Sequence, residues 1–367
     1  MRLTRRAVLL SAVLAASVHA AALDRAALLR EAVGLYTQAV GKDHLRGAVL
    51  YVAERGEVVL HEAVGYRHFE SRAPMRKDTL FRMASNTKPV VATAVMMLQE
   101  DGKLSIEDPV AKHLRSFDNA KSRGITIAQL LSHSSGLRIG PIFYPFKPGE
   151  EISLQAAVAK FGAEGPKEKP GDYSYNNAGY NTLGAVIEVA SGMPLEDFLR
   201  RRIYEPLGMS DTLNHADPAK LDRMTTVYRG KAGGGSVAFT RGWTPGDPPD
   251  YPVVRASGGM ISTAADYAKF LEMIRNGGIH NGRRLLKPES VAAMLVPRAK
   301  VSATVSYGLG WMLYPDGGYY HTGSDGTLAW VDPRRNAIGM IFTQSPGGID
   351  PRNEFRAKIA QALDTPR

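Results

Sequence analysis

Residues 85–102 read SNTKPVVATAVMMLQEDG, and the fold turns on this stretch. After a polar first turn, Asn86 to Glu100 is almost wholly apolar, and Gly102 closes it. A helix that is apolar on every side has no face to give to water, so it belongs in the middle of the protein. Pro89 falls in the first turn, where backbone N–H groups have no intrahelical partner to lose. The rest of the chain must therefore wrap around this segment.

Upstream, Asp24 to Val40 has the pattern of an amphipathic helix closed by Gly41. Gly47–Ala53 and Val58–Val64 alternate apolar residues around Arg55-Gly56, as a β-hairpin does. Downstream, Thr126 and Gln129 form a capping box ahead of a short helix through His133. Pro194 opens a helix to Tyr204, and Thr263 with Asp266 opens another that stops at Gly277-Gly278. Three short apolar and aromatic runs follow, Gly318–Thr322, Thr327–Val331 and Ala337–Thr343, and a last helix covers roughly Asn353–Leu363. Strands at both ends with helices between predict an α/β (α+β) fold. Its antiparallel sheet is built from the N- and C-terminal segments (about 24–80 and 300–367), with flanking helices and an inserted, mostly helical region (about 81–299). The Gly/Pro-rich stretch 228–256, carrying Tyr228, Phe239, Trp243 and Tyr251, reads as a functional or mobile loop.

Of 367 residues, 44% are hydrophobic and 22% charged, the balance of a folded chain with a sizeable core. There is no cysteine, which excludes disulfides, thiolate nucleophiles and Cys-based metal sites. The net charge of +10 is spread without a dense basic block, so no nucleic-acid partner is expected. The nine histidines show no ligand spacing, so no metal and no cofactor are assigned. Arg2, Arg5 and Arg6, the apolar run Ala7–Val18 and the small residues around Ala20 make residues 1–20 an expected secretory signal peptide. Thr4-Arg5-Arg6 also fits a twin-arginine route. The mature chain, about 24–367, is then expected in the periplasm or secreted, with no stable transmembrane anchor.

Several common catalytic devices are missing. No serine is flanked by glycine at both i−2 and i+2, no H-E-x-x-H occurs, and no Gly-Lys pair continues into Ser or Thr. Three short motifs remain, in order along the chain. In Ser85-Asn86-Thr87-Lys88, a three-residue spacing puts the amine and the hydroxyl on one helical face. A serine hydroxyl becomes a good nucleophile only when its proton is taken, and an amine can do this if burial or a nearby cation lowers its pKa. In Tyr175-Asn176-Asn177, a phenol near an ammonium is expected to titrate below its free value and relay a proton. The carboxamide of Asn177 can accept from Lys88 and donate to a substrate carbonyl. In His321-Thr322-Gly323, a strand end supplies backbone hydrogen bonds and close approach. The Ser324 N–H can pair with that of Ser85 as an oxyanion hole, and His321 adds a polar or cationic group near a substrate carboxylate.

With S-x-x-K, Y-x-N and H-x-G in this order, the chain resembles the β-lactamase-related serine hydrolases: class C β-lactamases, D-alanyl-D-alanine carboxypeptidases and related esterases. Flanking segments agree, namely Ile125–Leu137, Glu205–Met209, Ser257–Thr263 and Tyr307–Trp311. The resemblance implies that Ser85 is acylated, that Lys88 and Tyr175 share acid/base work, and that Asn177 orients substrate. Residues His321, Thr322, Gly323 and Ser324 would line the site. Substrates are then small-molecule esters, amides or lactams, or peptidoglycan-derived peptides. A penicillin- or peptidoglycan-binding sensor of the same fold, without turnover, is the alternative. Class C β-lactamases usually place lysine where this chain has His321, which argues for acylation by penicillins without efficient turnover. Pro141–Pro148 reads equally as an acyl-pocket wall or a stiffened loop. Trp243 and Trp330 read as core aromatics with the cleft as the other possibility, and His133 as a structural hydrogen-bonder.

Overall fold

A computed structural model describes residues 24–144, 147–215, 217–231, 234–238 and 253–366. The expected leader and Trp243 lie outside the described residues. Helix α1 (Arg25–Gly41), N-capped by Asp24, runs into the hairpin β1 (Gly47–Glu54) and β2 (Glu57–His68), followed by the short β3 (Ala73–Pro74). Among the described residues, the chain returns to the sheet at β4 (Ala299–Lys300), β5 (Ser306–Tyr307), β6 (Met312–Leu313), β7 (Tyr319–Gly323), β8 (Thr327–Asp332) and β9 (Ala337–Phe342). These form one nine-stranded sheet in the order β4-β5-β6-β7-β8-β9-β1-β2-β3, and its neighbours pair antiparallel. Both ends of the sequence thus meet at the β1–β9 seam, where Val49 faces Phe342 and Glu54 faces Ala337.

The seam is covered on both faces, which explains its unbroken apolar runs. Val49, Tyr51, Ala53, Ile338, Met340 and Phe342 join the large central core. Their alternates Ala48, Leu50, Val52 and Ile341 pack with Leu328 and Trp330 against Tyr36 of α1 and Phe355 of the last helix, Arg352–Asp364. Trp330 is therefore a core residue on the face away from the central helix. There it also borders a cavity of about 310 Å³ lined with Tyr314, Arg334 and Arg356. Its cross-strand partner is Gly339, where an added Cβ would lie 2.1 Å from the Trp330 ring. Gly339→Ala is accordingly expected to destabilise the fold by about 1–3 kcal/mol, the usual cost of overpacking. Urea melts of the two proteins measure it, and an unchanged midpoint would contradict the packing.

Helix α2 (Thr87–Glu100) is buried without interruption from Thr87 to Leu98. Burial of each large apolar side chain there contributes roughly 1.5–3 kcal/mol. Its polar Thr93 is satisfied locally, donating to the Pro89 carbonyl at 2.9 Å. Helix α3 (Ile127–Leu131) begins with the expected capping box between Thr126 and Gln129. Helix α4 (Asn177–Ser191) starts at an Asn176 cap, and α5 (Ala264–Arg275) at a Thr263 cap that holds the Asp266 N–H. In the 228–256 stretch, Tyr228–Gly230 pairs with Ser236–Ala238, and residues 239–252 are outside the described part. No helix of the described residues is long and apolar enough to cross a membrane.

Candidate active site

Ser85 lies in a 3-10 turn, Ala84–Asn86, that leads directly into α2. The turn is strained, since Ala84 has φ +45°, a left-handed conformation that a Cβ disfavours. Surrounding groups hold it there. Thr87 Oγ1 donates to the Ala84 carbonyl at 2.7 Å, and Tyr267 donates to the Asn86 carbonyl at 2.9 Å. The Asn86 amide donates to Thr327 Oγ1 at 2.9 Å, which donates to the Met83 carbonyl at 3.1 Å. Two glycines allow the close approach. A Cβ on Gly323 would lie 2.4 Å from the Met83 carbonyl oxygen, and one on Gly258 would lie 3.3 Å from the Ala84 carbonyl carbon. The end of β7 is therefore pressed against the turn that carries Ser85, with Ser324 exposed just beyond.

Ser85 is partly exposed, while Lys88, one turn on, is fully buried. The Lys88 Nζ lies 3.0 Å from Ser85 Oγ, 3.0 Å from Asn177 Oδ1 and 2.7 Å from the Ser257 carbonyl oxygen. Burial, and then the charge of Arg255, hold its pKa well below that of an ordinary lysine. A neutral amine has two N–H bonds and one lone pair. The carbonyls of Asn177 and Ser257 can only accept, so they take the two N–H bonds. In that neutral form the lone pair is left for Ser85, whose hydroxyl can then donate to it.

Tyr175 flanks the amine, which sits 4.8 Å from the centre of its ring. The expected depression of this phenol is not found. Burial raises its pKa above the ordinary value, and this outweighs the lowering by its hydrogen bond to Ser85 and by Arg255. The physical reason is desolvation: a ring this enclosed cannot hold a phenolate's charge as water would.

His321 departs further from expectation. It is 1% exposed, with Nδ1 2.8 Å from the Thr322 carbonyl oxygen and Nε2 3.0 Å from the Tyr307 hydroxyl. A carbonyl only accepts, so Nδ1 carries the hydrogen and Nε2 accepts from Tyr307. Burial and then Lys88 push its pKa down to about 3. His321 is thus a neutral, internally bonded side chain and not a cation facing a substrate carboxylate.

The structure brings Ser85, Lys88, Tyr175 and Asn177 together at one place, and Thr322 and Gly323, at the strand end packed on the Ser85 turn, are partly exposed. Arg255, Ser257 and Tyr307 join them, and motif spacing pointed to none of the three. Ser257 and Tyr307 stand in the flanking segments quoted above, whereas nothing in the sequence marks Arg255. In the Pro141–Pro148 segment, Phe143 and Tyr144 pack against the central core, and the Ile142 carbonyl accepts from Asn181 at 2.9 Å. Among the described residues no group of three or more His, Asp or Glu side chains is arranged to hold a metal ion.

A sheet of this connectivity, with the buried helix beneath its serine turn, defines the β-lactamase-fold serine hydrolases. The Beta-lactamase family model matches residues 32–364, and the chain belongs to that family. It is 32% identical over 328 residues to Penicillin-binding protein 4 of Amycolatopsis lactamdurans, covering 83% of this chain and 82% of that one. It is 31% identical over 273 residues to Esterase EstB of Burkholderia gladioli, covering 66% and 68%. The crystal structure of D-amino acid amidase from Ochrobactrum anthropi SV3 is similar with a TM-score of 0.75 and 27% identity, over 92% of this chain and 99% of that one.

Proposed function

We propose that this chain is an exported serine hydrolase that acts on a carbonyl ester or amide through an acyl-enzyme on Ser85. The observation that carries the reading is the buried Lys88 amine, 3.0 Å from Ser85 Oγ and within hydrogen-bond distance of the Asn177 and Ser257 carbonyl oxygens. Ser85 Oγ attacks the carbonyl carbon as its proton passes to the lone pair of Lys88. The backbone N–H groups of Ser85 and Ser324 receive the negative charge that develops on the carbonyl oxygen. Tyr175, a neutral phenol, passes a proton to the leaving oxygen or nitrogen and is reprotonated from Lys88. Water then attacks the ester, gives its proton back through the same groups, and frees Ser85 and the acid. Asn177, anchored to Lys88 through Oδ1, keeps its amide N–H bonds for the substrate carbonyl.

Neutral esters and amides suit the site better than peptides ending in a free carboxylate, because His321 contributes no charge to recognise one. The expected result is a kcat/KM for p-nitrophenyl esters at least about tenfold above that for a D-Ala-D-Ala peptide. The reverse ratio would assign the protein to cell-wall trimming. A fluorophosphonate probe followed by intact mass tests the whole scheme, with one adduct on Ser85 expected. A penicillin adduct that persists, in a protein inert to every ester and amide, would favour the sensor alternative.

A further inference from the structure

We infer that His133 is a positioning residue for Tyr175, one that fixes the phenol in its place beside Ser85 and Lys88; the inference rests on the acyl-enzyme reading above. Three attachments run from this one residue to the neighbourhood of Tyr175. The His133 carbonyl accepts from the Ser174 N–H at 2.8 Å, and its Nδ1 accepts from the Asn176 N–H at 3.2 Å. Its ring lies against the Tyr175 ring, with centroids 4.2 Å apart and planes tilted by 37°. The N–H groups immediately before and after Tyr175, and the face of the phenol itself, are thus held together.

Ordinary packing does not account for this arrangement. His133 is fully buried and has φ +57°, a left-handed backbone that a side chain disfavours. A backbone N–H only donates, so Nδ1 is the acceptor and the ring hydrogen sits on Nε2. That Nε2 has no hydrogen-bond partner among the described residues. The imidazole is enclosed by Tyr173, Tyr180 and Tyr307 besides Tyr175, with ring centroids 6.1, 5.0 and 4.8 Å from its own. A leucine would fill the space without an orphaned donor, but it would supply neither the acceptor for Asn176 nor a flat ring for the phenol. Polar strain of this kind in a core is the signature of a positional task.

The test compares His133→Gly with His133→Asn, since both residues accept a left-handed backbone and only asparagine returns an acceptor near the Nδ1 position. His133→Gly is expected to lower kcat for the best ester about 100-fold with KM within about threefold, the cost of misplacing a catalytic group by about 1 Å. His133→Asn is expected to recover at least tenfold of that loss. In a Tyr175→Phe background, His133→Gly is expected to cost less than threefold more, because its effect passes through the phenol. A full further 100-fold loss there, or wild-type kcat in the glycine variant, overturns the inference. Should the glycine variant not fold, His133→Asn decides: a loss of kcat that disappears in the Tyr175→Phe background supports the inference, and one that persists, or no loss, overturns it. Wild-type protein left unlabelled at Ser85 by the fluorophosphonate would instead bring down the acyl-enzyme reading, and this inference with it.

Discussion

Ser85→Ala lowers kcat for ester hydrolysis by at least about 10³-fold, a loss of about 4 kcal/mol of transition-state stabilisation, while the protein keeps its melting temperature. The hydroxyl bonds only to Lys88 and Tyr175 among the described residues, and it stands at the end of a turn whose shape is held by Thr87, Asn86, Tyr267 and Thr327. Removing one oxygen leaves that frame untouched, so the loss reports chemistry and not folding. The variant also forms no adduct with a fluorophosphonate. Steady-state kinetics with thermal melts measure both, and activity within tenfold of wild type would remove Ser85 from the mechanism.

Lys88→Met is expected to cost about 10²–10⁴-fold in kcat, the range for losing a general base. Methionine matches the length of the lysine stem, so the core around α2 stays filled, but no lone pair faces Ser85. The wild-type pH profile carries the same prediction with a definite sign. Lys88 is depressed well below the ordinary lysine range by burial and Arg255, so kcat/KM rises as pH rises through that depressed value and levels off once the amine is neutral. Tyr175, raised by burial, stays protonated across neutral pH and adds no limb there. His321 stays neutral above about 3, and burial holds His133 well below its ordinary value, so neither imidazole supplies the rising limb. The limb must vanish in Lys88→Met. A rising limb that survives the substitution would assign the proton to another group.

Much of this site is legible in the sequence alone. The i, i+3 spacing of Ser85 and Lys88 dictates a shared helical face, and the apolar run after it dictates that the face be buried; together they lower the amine's pKa wherever the helix sits. Asn177 is legible too, as a carboxamide two residues from a tyrosine, and its Oδ1 does meet Lys88. The protonation states of Tyr175 and His321 are not. Each depends on how little water reaches the ring and which groups fold against it, and neither property is local in sequence. Arg255 escapes for the same reason, since its charge acts on Lys88 across a distance of 167 positions that only folding closes.

Local pattern by itself determined that strands lie at the two ends of the chain and that a helix apolar all round fills the centre, because side-chain period and composition act within a few residues. It also determined which types of group were available for chemistry. Only the tertiary structure decided that β1 joins β9, that β7 presses Gly323 against the Met83 carbonyl, and that His133 and His321 stay neutral inside. Strand pairing, close approach and desolvation are set by what arrives from elsewhere in the chain, and a desolvated amine or imidazole takes its charge from those neighbours.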